Sequence, residues 1–150
     1  MSVQAPVAQL SARELEDAIA EFLLAHDTGY LGTVGDDVPR VSPVRYFADE
    51  DFNVYIHSKG GSKFANLAKN TNACLLVCTE FIDDLTKIRG VQVFGDAEVG
   101  NSGDPQFEMA EELCPWDHDD EVRLILIRPR EIVYVDSISG YKLKQRWTPS

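Results

Sequence analysis

Apolar and polar positions change period several times along the chain, and each change marks an element. Leu15, Ala18, Ile19, Phe22 and Leu23 recur at three- and four-residue spacing, which predicts one face of an α-helix. Ser11 with Glu14 three positions on is a capping box that starts this helix, and it should end near His26. Residues 1–9 read as a loose start. Beyond the helix the period falls to two. Residues 30–34, 38–48 and 52–57 are strand runs separated by Gly35-Asp36-Asp37 and Asp49-Glu50-Asp51. Tight polar turns between short strands predict an antiparallel meander. Residues 73–79 read as a buried strand, 81–86 as a loop, and 88–99 as a long strand with Val91, Val93 and Gly95 on one face. Residues 105–113 are helical and 114–120 form an irregular acidic loop. Two final strands, 122–127 and 131–135, are broken by Arg128-Pro129-Arg130. The tail, 139–150, is polar, with Tyr141 and Trp147. Six or seven short strands with a few small helices predict a mainly β, α+β chain: a six-stranded barrel with helices over its openings. No repeat or linker divides it, so residues 1–150 read as one domain.

Between the third and fourth strands lies YIHSKGGSKFANLAKN, residues 55–70. It reads as a strand end, a basic glycine turn and a short helix with Phe64, Ala65, Leu67 and Ala68 on its apolar side. Ser62 stands where an N-cap belongs. Such a turn aims free backbone N–H groups and the positive end of a helix dipole at one point. Lys59 and Lys63 add charge, and Ser58 and Ser62 add hydroxyls. This is the chemistry of an anion site, and a phosphate monoester fits it. The second strand is also unusual. Arg40-Val41-Ser42-Pro43-Val44-Arg45 places a proline in mid-strand, where its missing donor suits only an edge, a bulge or a ligand-facing position. A regular strand points Arg40 and Arg45 to opposite faces.

Charge sharpens the picture. The formal net charge is −11, so a nucleic-acid phosphate backbone would be repelled and nucleic acid is not an expected partner. Positive charge matters most where it clusters, as it does at 59–63. Three cysteines, Cys74, Cys78 and Cys114, and no evident signal peptide argue against a disulfide scaffold. No apolar run approaches a membrane span, so the expectation is a soluble, cytoplasmic protein. His118 sits among carboxylates that read as solvated, and no metal site is expected. Cys114 has no base near it in sequence, His26 reads as a helix end, and Ser42 lacks a nucleophile-elbow context.

The pieces LGTVGDDVPRVSPV, DFNVYIHSKGGSKFANLAKNTNACLLV and IRGVQVFGDAEV, in that order, resemble the FMN-binding split barrels related to pyridoxamine 5′-phosphate oxidase. The resemblance covers residues 28–99. It implies a second strand whose backbone lies along a flavin ring, with Arg40 leading, Arg45 trailing, and Val41, Ser42, Pro43 and Val44 between. It implies that Ser58 and Lys63, five positions apart, hold the flavin phosphate and ribityl chain, with His57 just before the hydroxyl. Lys59 and Ser62 join this set from the local chemistry above. The resemblance further implies FMN held non-covalently by a homodimer, with each flavin at the subunit interface. The tail residues Arg146 and Trp147 are candidates to reach the neighbouring site. His57-Ser58 is also similar to relatives described as nitroreductase-like or nitroimidazole-resistance proteins.

The departures from the family pattern direct the functional expectation. Phe64 stands where the oxidase has a second basic residue, and Gly90 where it has a glutamine. KLKQRWTPS lacks the arginine and histidine pattern that binds the vitamin phosphate. The expectation is therefore an FMN-dependent oxidoreductase with a nicotinamide donor and a small-molecule substrate, not a true pyridoxamine phosphate oxidase. No catalytic acid or base stands out. The alternatives are a flavin-binding or electron-transfer module without a substrate, and a heme- or deazaflavin-binding relative.

Overall fold

The computed structural model describes residues 9–83, 85–138 and 144–150. Most of the expected loose start, and Tyr141 in the tail, lie outside the described residues. Helix α1 spans Ala12–Ala25 and begins as its capping box dictates: Ser11 Oγ accepts from the Glu14 N–H at 3.2 Å, and a Glu14 carboxylate oxygen accepts from the Ser11 N–H at 2.9 Å. Its apolar face buries Leu15, Ile19, Phe22 and Leu23. The chain leaves the helix at His26, whose ring stacks on Phe22.

Seven strands follow: β1 (Thr28–Val34), β2 (Pro39–Ala48), β3 (Val54–Ser58), β4 (Asn72–Cys78), β5 (Arg89–Gly100), β6 (Arg123–Asp136) and β7 (Gln145–Trp147). Two more helices, α2 (Ser62–Lys69) and α3 (Pro105–Leu113), interrupt them. The antiparallel order is β3-β2-β1-β4-β5-β6, and β3 pairs again with β6 to close a six-stranded barrel. The first three strands form the expected meander. Closure pairs β3 with β6 and so removes most of the edges that would otherwise template aggregation.

The barrel interior is lined by Leu31, Val44, Tyr46, Val54, Ile56, Leu75, Val77, Val91, Val93, Ile125 and Ile127, all buried. Helix α1 packs onto this core, and the Tyr46 hydroxyl donates to the Leu23 carbonyl at 2.7 Å. A second apolar cluster lies on the outer wall, where α3 brings Phe107 and Ala110 against Phe47, Tyr55, Leu124 and Leu126. Strand β6 is thus buried on both faces over 124–127, which explains its unbroken LILI run.

Two expectations about the C-terminal third are corrected. The final strands at 122–127 and 131–135 are one continuous strand, β6. The ladder with β5 shifts register between Phe94 and Gly95, so Arg130 is the extra residue of a bulge and Pro129 is accommodated beside it. A Cβ on Gly95 would lie 2.0 Å from the Arg128 carbonyl oxygen, so only glycine admits the bend. The tail also contributes a strand, β7, that periodicity in so short a segment could not reveal. Gln145 exchanges hydrogen bonds with the Leu10 backbone at 3.1 and 3.2 Å, and Trp147 packs edge-on against Phe52. Arg146 pairs with Glu131 at 3.3 Å. No helix among the described residues is long and apolar enough to cross a membrane.

Replacing Gly95 with alanine forces backbone displacement in a packed wall and should cost about 3 kcal/mol. Ser11→Ala removes one half of the cap and should cost about 1 kcal/mol. Urea midpoints of the two variants check the order; a Gly95→Ala protein as stable as the parent would contradict the bulge geometry.

Candidate functional site

Strand β3 pairs with β2 only across residues 45–48, where Arg45 meets His57 and Ala48 meets Val54. From Pro39 to Val44, β2 is paired with β1 alone. The Tyr46 N–H donates toward the β1 side, to the Asp27 carbonyl at 2.9 Å. Strand alternation then turns the backbone groups of Pro43 and Val41 to the opposite, unpaired edge. Pro43 therefore removes no ladder bond, and the Val41 N–H and C=O and the Pro43 C=O remain available there. Ser42 alternates with them, facing β1 opposite Leu31. Val44 is buried in the barrel while Arg45 is exposed outside it, and Arg40, of the same parity as Val44, is exposed at the barrel's end. The two arginines do diverge as the spacing requires.

The basic turn lies where β3 stops. Ser58 is in register with Arg123 of β6. The Ser58 hydroxyl and the Lys63 ammonium both donate to the Gly60 carbonyl, at 3.3 and 2.6 Å. The expected N-cap is corrected here: Gly61, at φ +106°, caps α2, and Ser62 is its first residue. A side-chain cap is absent, so the first N–H groups of the helix keep no side-chain acceptor. The space before Gly60 is open. Burial pushes the Lys63 ammonium below its usual range, whereas a hydrogen bond donated to Asp119 raises that of Lys59. Lys59 and Asp119 form an ion pair, and Asp119 is correspondingly lowered.

A cation that sequence reasoning passed over completes the turn. The Arg123 guanidinium lies 4.2 Å over the centroid of the Phe64 ring, and its Nε donates to Asn101 at 3.0 Å. Phe64, where the family pattern has a basic residue, is thus a platform for a basic residue from another strand. Only the β3–β6 register brings Arg123 here; nothing in the local sequence signals it. Ser58, Ser62, Lys63 and Arg123 are therefore neighbours around one turn.

The remaining expected residues belong to a different neighbourhood. Arg45 pairs with Asp27 at 3.3 Å and lies 4.2 Å over the Trp116 ring. The His57 side chain is only 4% exposed and is enclosed on the outer wall by Cys114, Trp116, His118 and Glu111. Its contacts are with that cluster rather than with the turn. The Trp116 indole N–H donates to His57 Nδ1 at 3.4 Å, which leaves the proton on Nε2. Nε2 is buried without a hydrogen-bond partner, 3.6 Å from Glu111 Oε1. Burial, then the neighbouring His118, lowers the His57 pKa. His118 has Nδ1 2.7 Å from the Asp119 carbonyl and Nε2 2.7 Å from Glu111 Oε1. Both partners are acceptors, so both nitrogens carry protons, and the backbone bond to Asp119 leads in raising its pKa. Cys114 Sγ donates to the Trp116 carbonyl at 3.2 Å and lies 3.9 Å from His57 Nδ1, so β3 brings beside Cys114 an imidazole that no neighbour in sequence provides.

A cavity of about 730 Å³ is lined by none of the expected cofactor residues; Tyr46, Phe52, Leu113 and Trp116 are among its walls, with the end of α1. The basic turn and the free β2 edge form an open surface on a single chain.

Comparison with known proteins gives this arrangement a family. The family model described as pyridoxamine 5′-phosphate oxidase matches residues 15–136. No curated protein sequence gives a significant match. Among solved structures, the chain is similar to general stress protein 26 from Bacillus anthracis str. Sterne, at 20% identity and TM-score 0.66 over 89% of this chain and 98% of that one. It is similar to a heme-binding protein from Mycobacterium smegmatis, at 20% identity and TM-score 0.64, covering 95% of this chain and 60% of that one. A FAD-binding protein from Mesorhizobium loti aligns at 18% identity and TM-score 0.60, over 75% and 87% of the two chains. At these identities the structural matches speak for the fold, and the family model covers most of the chain: the protein belongs to the pyridoxamine 5′-phosphate oxidase family.

Proposed function

We propose that the protein is an FMN-binding flavoprotein, and that it acts as an oxidoreductase taking electrons from a nicotinamide donor to a small-molecule acceptor. The observation that carries this reading is the turn after β3. There an α-helix N-terminus without a side-chain cap, two hydroxyls and the Lys63 ammonium stand beside open space at Gly60, and the Arg123 guanidinium lies over Phe64 in the first turn of that helix. A phosphate monoester suits that donor set, because charge-assisted hydrogen bonds and the helix dipole act on the same group. Lys59, at the rim, exchanges Asp119 for the phosphate or shares it. The adjacent β2 edge, from Arg40 through Val41, Ser42, Pro43 and Val44 to Arg45, offers free backbone groups to an extended ring system. When bound there, FMN supplies the hydride and electron chemistry; the chain supplies binding, orientation and charge.

The site is open on one chain, and it adjoins exposed apolar residues: Tyr30 at 48% and Val41 at 71% exposure. A second copy laid over that face would close it, so the proposed working form is a homodimer with flavin at the interface. Free cysteines at 74, 78 and 114 fit a reducing compartment such as the cytoplasm. The tail contributes no vitamin-phosphate site to this reading: Arg146 is paired with Glu131, and Trp147 packs on its own chain.

The absorbance spectrum of the freshly purified protein and the identity of its heat-released cofactor test the assignment. A flavin spectrum with FMN released is expected; a Soret band would instead favour the heme chemistry of the Mycobacterium smegmatis relative. Lys63→Ala and Arg123→Ala should each weaken FMN by about ten- to a hundredfold, the size of a hydrogen bond to a charged group, and riboflavin far less. Equal losses for the two ligands would remove the phosphate role. Steady-state oxidation of NADH or NADPH by the loaded protein, with an added acceptor, is expected; flavin binding without turnover would make it an electron carrier.

A further inference from the structure

We infer that His57, Cys114 and His118 form a zinc site on the outer wall of the barrel. Among the described residues these three are the one group of histidine, cysteine or carboxylate side chains whose ligand atoms converge: a nitrogen of each imidazole and Cys114 Sγ lie within 4.8 Å of one another. Glu111 Oε1 stands beside the two histidines, 2.7 Å from His118 Nε2 and 3.6 Å from His57 Nε2, and serves as a neighbouring acceptor. Ligands bound to zinc at about 2.0–2.3 Å stand roughly 3.3–3.8 Å apart, so closing these separations by about 1–1.5 Å at most would seat the ion.

Local structure explains why these four meet. Glu111 and Cys114 are three residues apart across the end of α3, which places both on one side of its last turn. Pro115 then redirects the chain, and the loop returns His118 to the same point. His57 comes from β3, held in a buried position against Phe47 and Phe107. A second observation is independent of this convergence. His57 Nε2 is buried and has no hydrogen-bond partner, an arrangement that costs free energy unless something else engages the ring. A metal ion would engage it once the ring proton has moved to Nδ1.

The donor set selects the metal class. Two imidazoles and a thiolate are poor ligands for magnesium or calcium, which prefer oxygen, and suit zinc well. Three protein ligands leave the fourth tetrahedral position to a water molecule or an outside ligand. Binding moves the His57 ring proton from Nε2 to Nδ1, which gives up the Trp116 indole N–H, and releases two protons to solvent, one from the Cys114 thiol and one from the His118 imidazolium, with no change of oxidation state. The ion would staple loop 114–121 to β3. That loop also carries Trp116, which stacks on Arg45, and Asp119, which holds Lys59.

The test uses the full-length protein, reduced and stripped with a chelator. Zinc chloride is titrated in competition with a chromophoric chelator, and cobalt(II) is substituted as a spectroscopic probe. One zinc per chain, a raised melting temperature, intense tetrahedral cobalt bands and a thiolate-to-cobalt charge-transfer band are expected. Cys114→Ser should abolish the charge-transfer band, and His118→Ala, on the more exposed ligand, should weaken zinc at least about tenfold. Weak or substoichiometric zinc, a pale octahedral cobalt spectrum in the parent protein, or an unchanged charge-transfer band in Cys114→Ser would overturn the site. The parent cobalt spectrum decides the matter even if a variant fails to fold.

Discussion

The pairing of β3 with β6 is the contact on which the rest of the structure depends. It turns an open antiparallel sheet into a closed barrel and buries a run of four consecutive apolar residues on both faces. It also sets where the barrel stops being closed. Because β3 is short and pairs β2 only over 45–48, the first half of β2 keeps an unpaired edge. Natural proteins usually hide such an edge. Here a proline sits on it, beside a turn rich in donors, and that combination marks it as a surface to be covered by a ligand or by another chain.

The same register solves an electrostatic problem. A chain of net charge −11 repels anions at long range, so an anion site must be built from cations held close together. Lys63 lies near the turn by sequence. Arg123 is delivered by β6, fixed over Phe64 by stacking and by its bond to Asn101. Lys59 is drawn the other way, to Asp119 on the loop that follows α3. The loop and the turn therefore share a charge, and what holds the loop bears on what the turn can bind.

Helix α3 gives the outer wall its own interior. Phe107 and Ala110 cover Tyr55, Leu124 and Leu126, and the end of the helix closes over His57. Adjacent residues on β3 thereby serve opposite sides: Ser58 faces the turn, and His57 is enclosed with a cysteine and a second histidine. Strand alternation alone separates them.

Much of the architecture was legible in order along the chain, because it rests on local rules. The capping box at Ser11, the meander of short strands with polar turns, the basic glycine turn and α3 all follow from periodicity, capping and turn chemistry. Their sum is a split barrel, and its family likeness was readable in the same stretches. What the sequence could not settle depends on which strands meet. The unity of β6 hangs on a bulge that a glycine in another strand permits, and β7 is too short to show a period. Gly61 rather than Ser62 caps α2 because the turn needs a positive φ there. Arg123 at the turn, and His57 beside Cys114, exist only through tertiary contact. Local rules determined the pieces of this protein; the closure of the barrel decided which side chains share a site, because residues far apart in the chain become neighbours only through strand register.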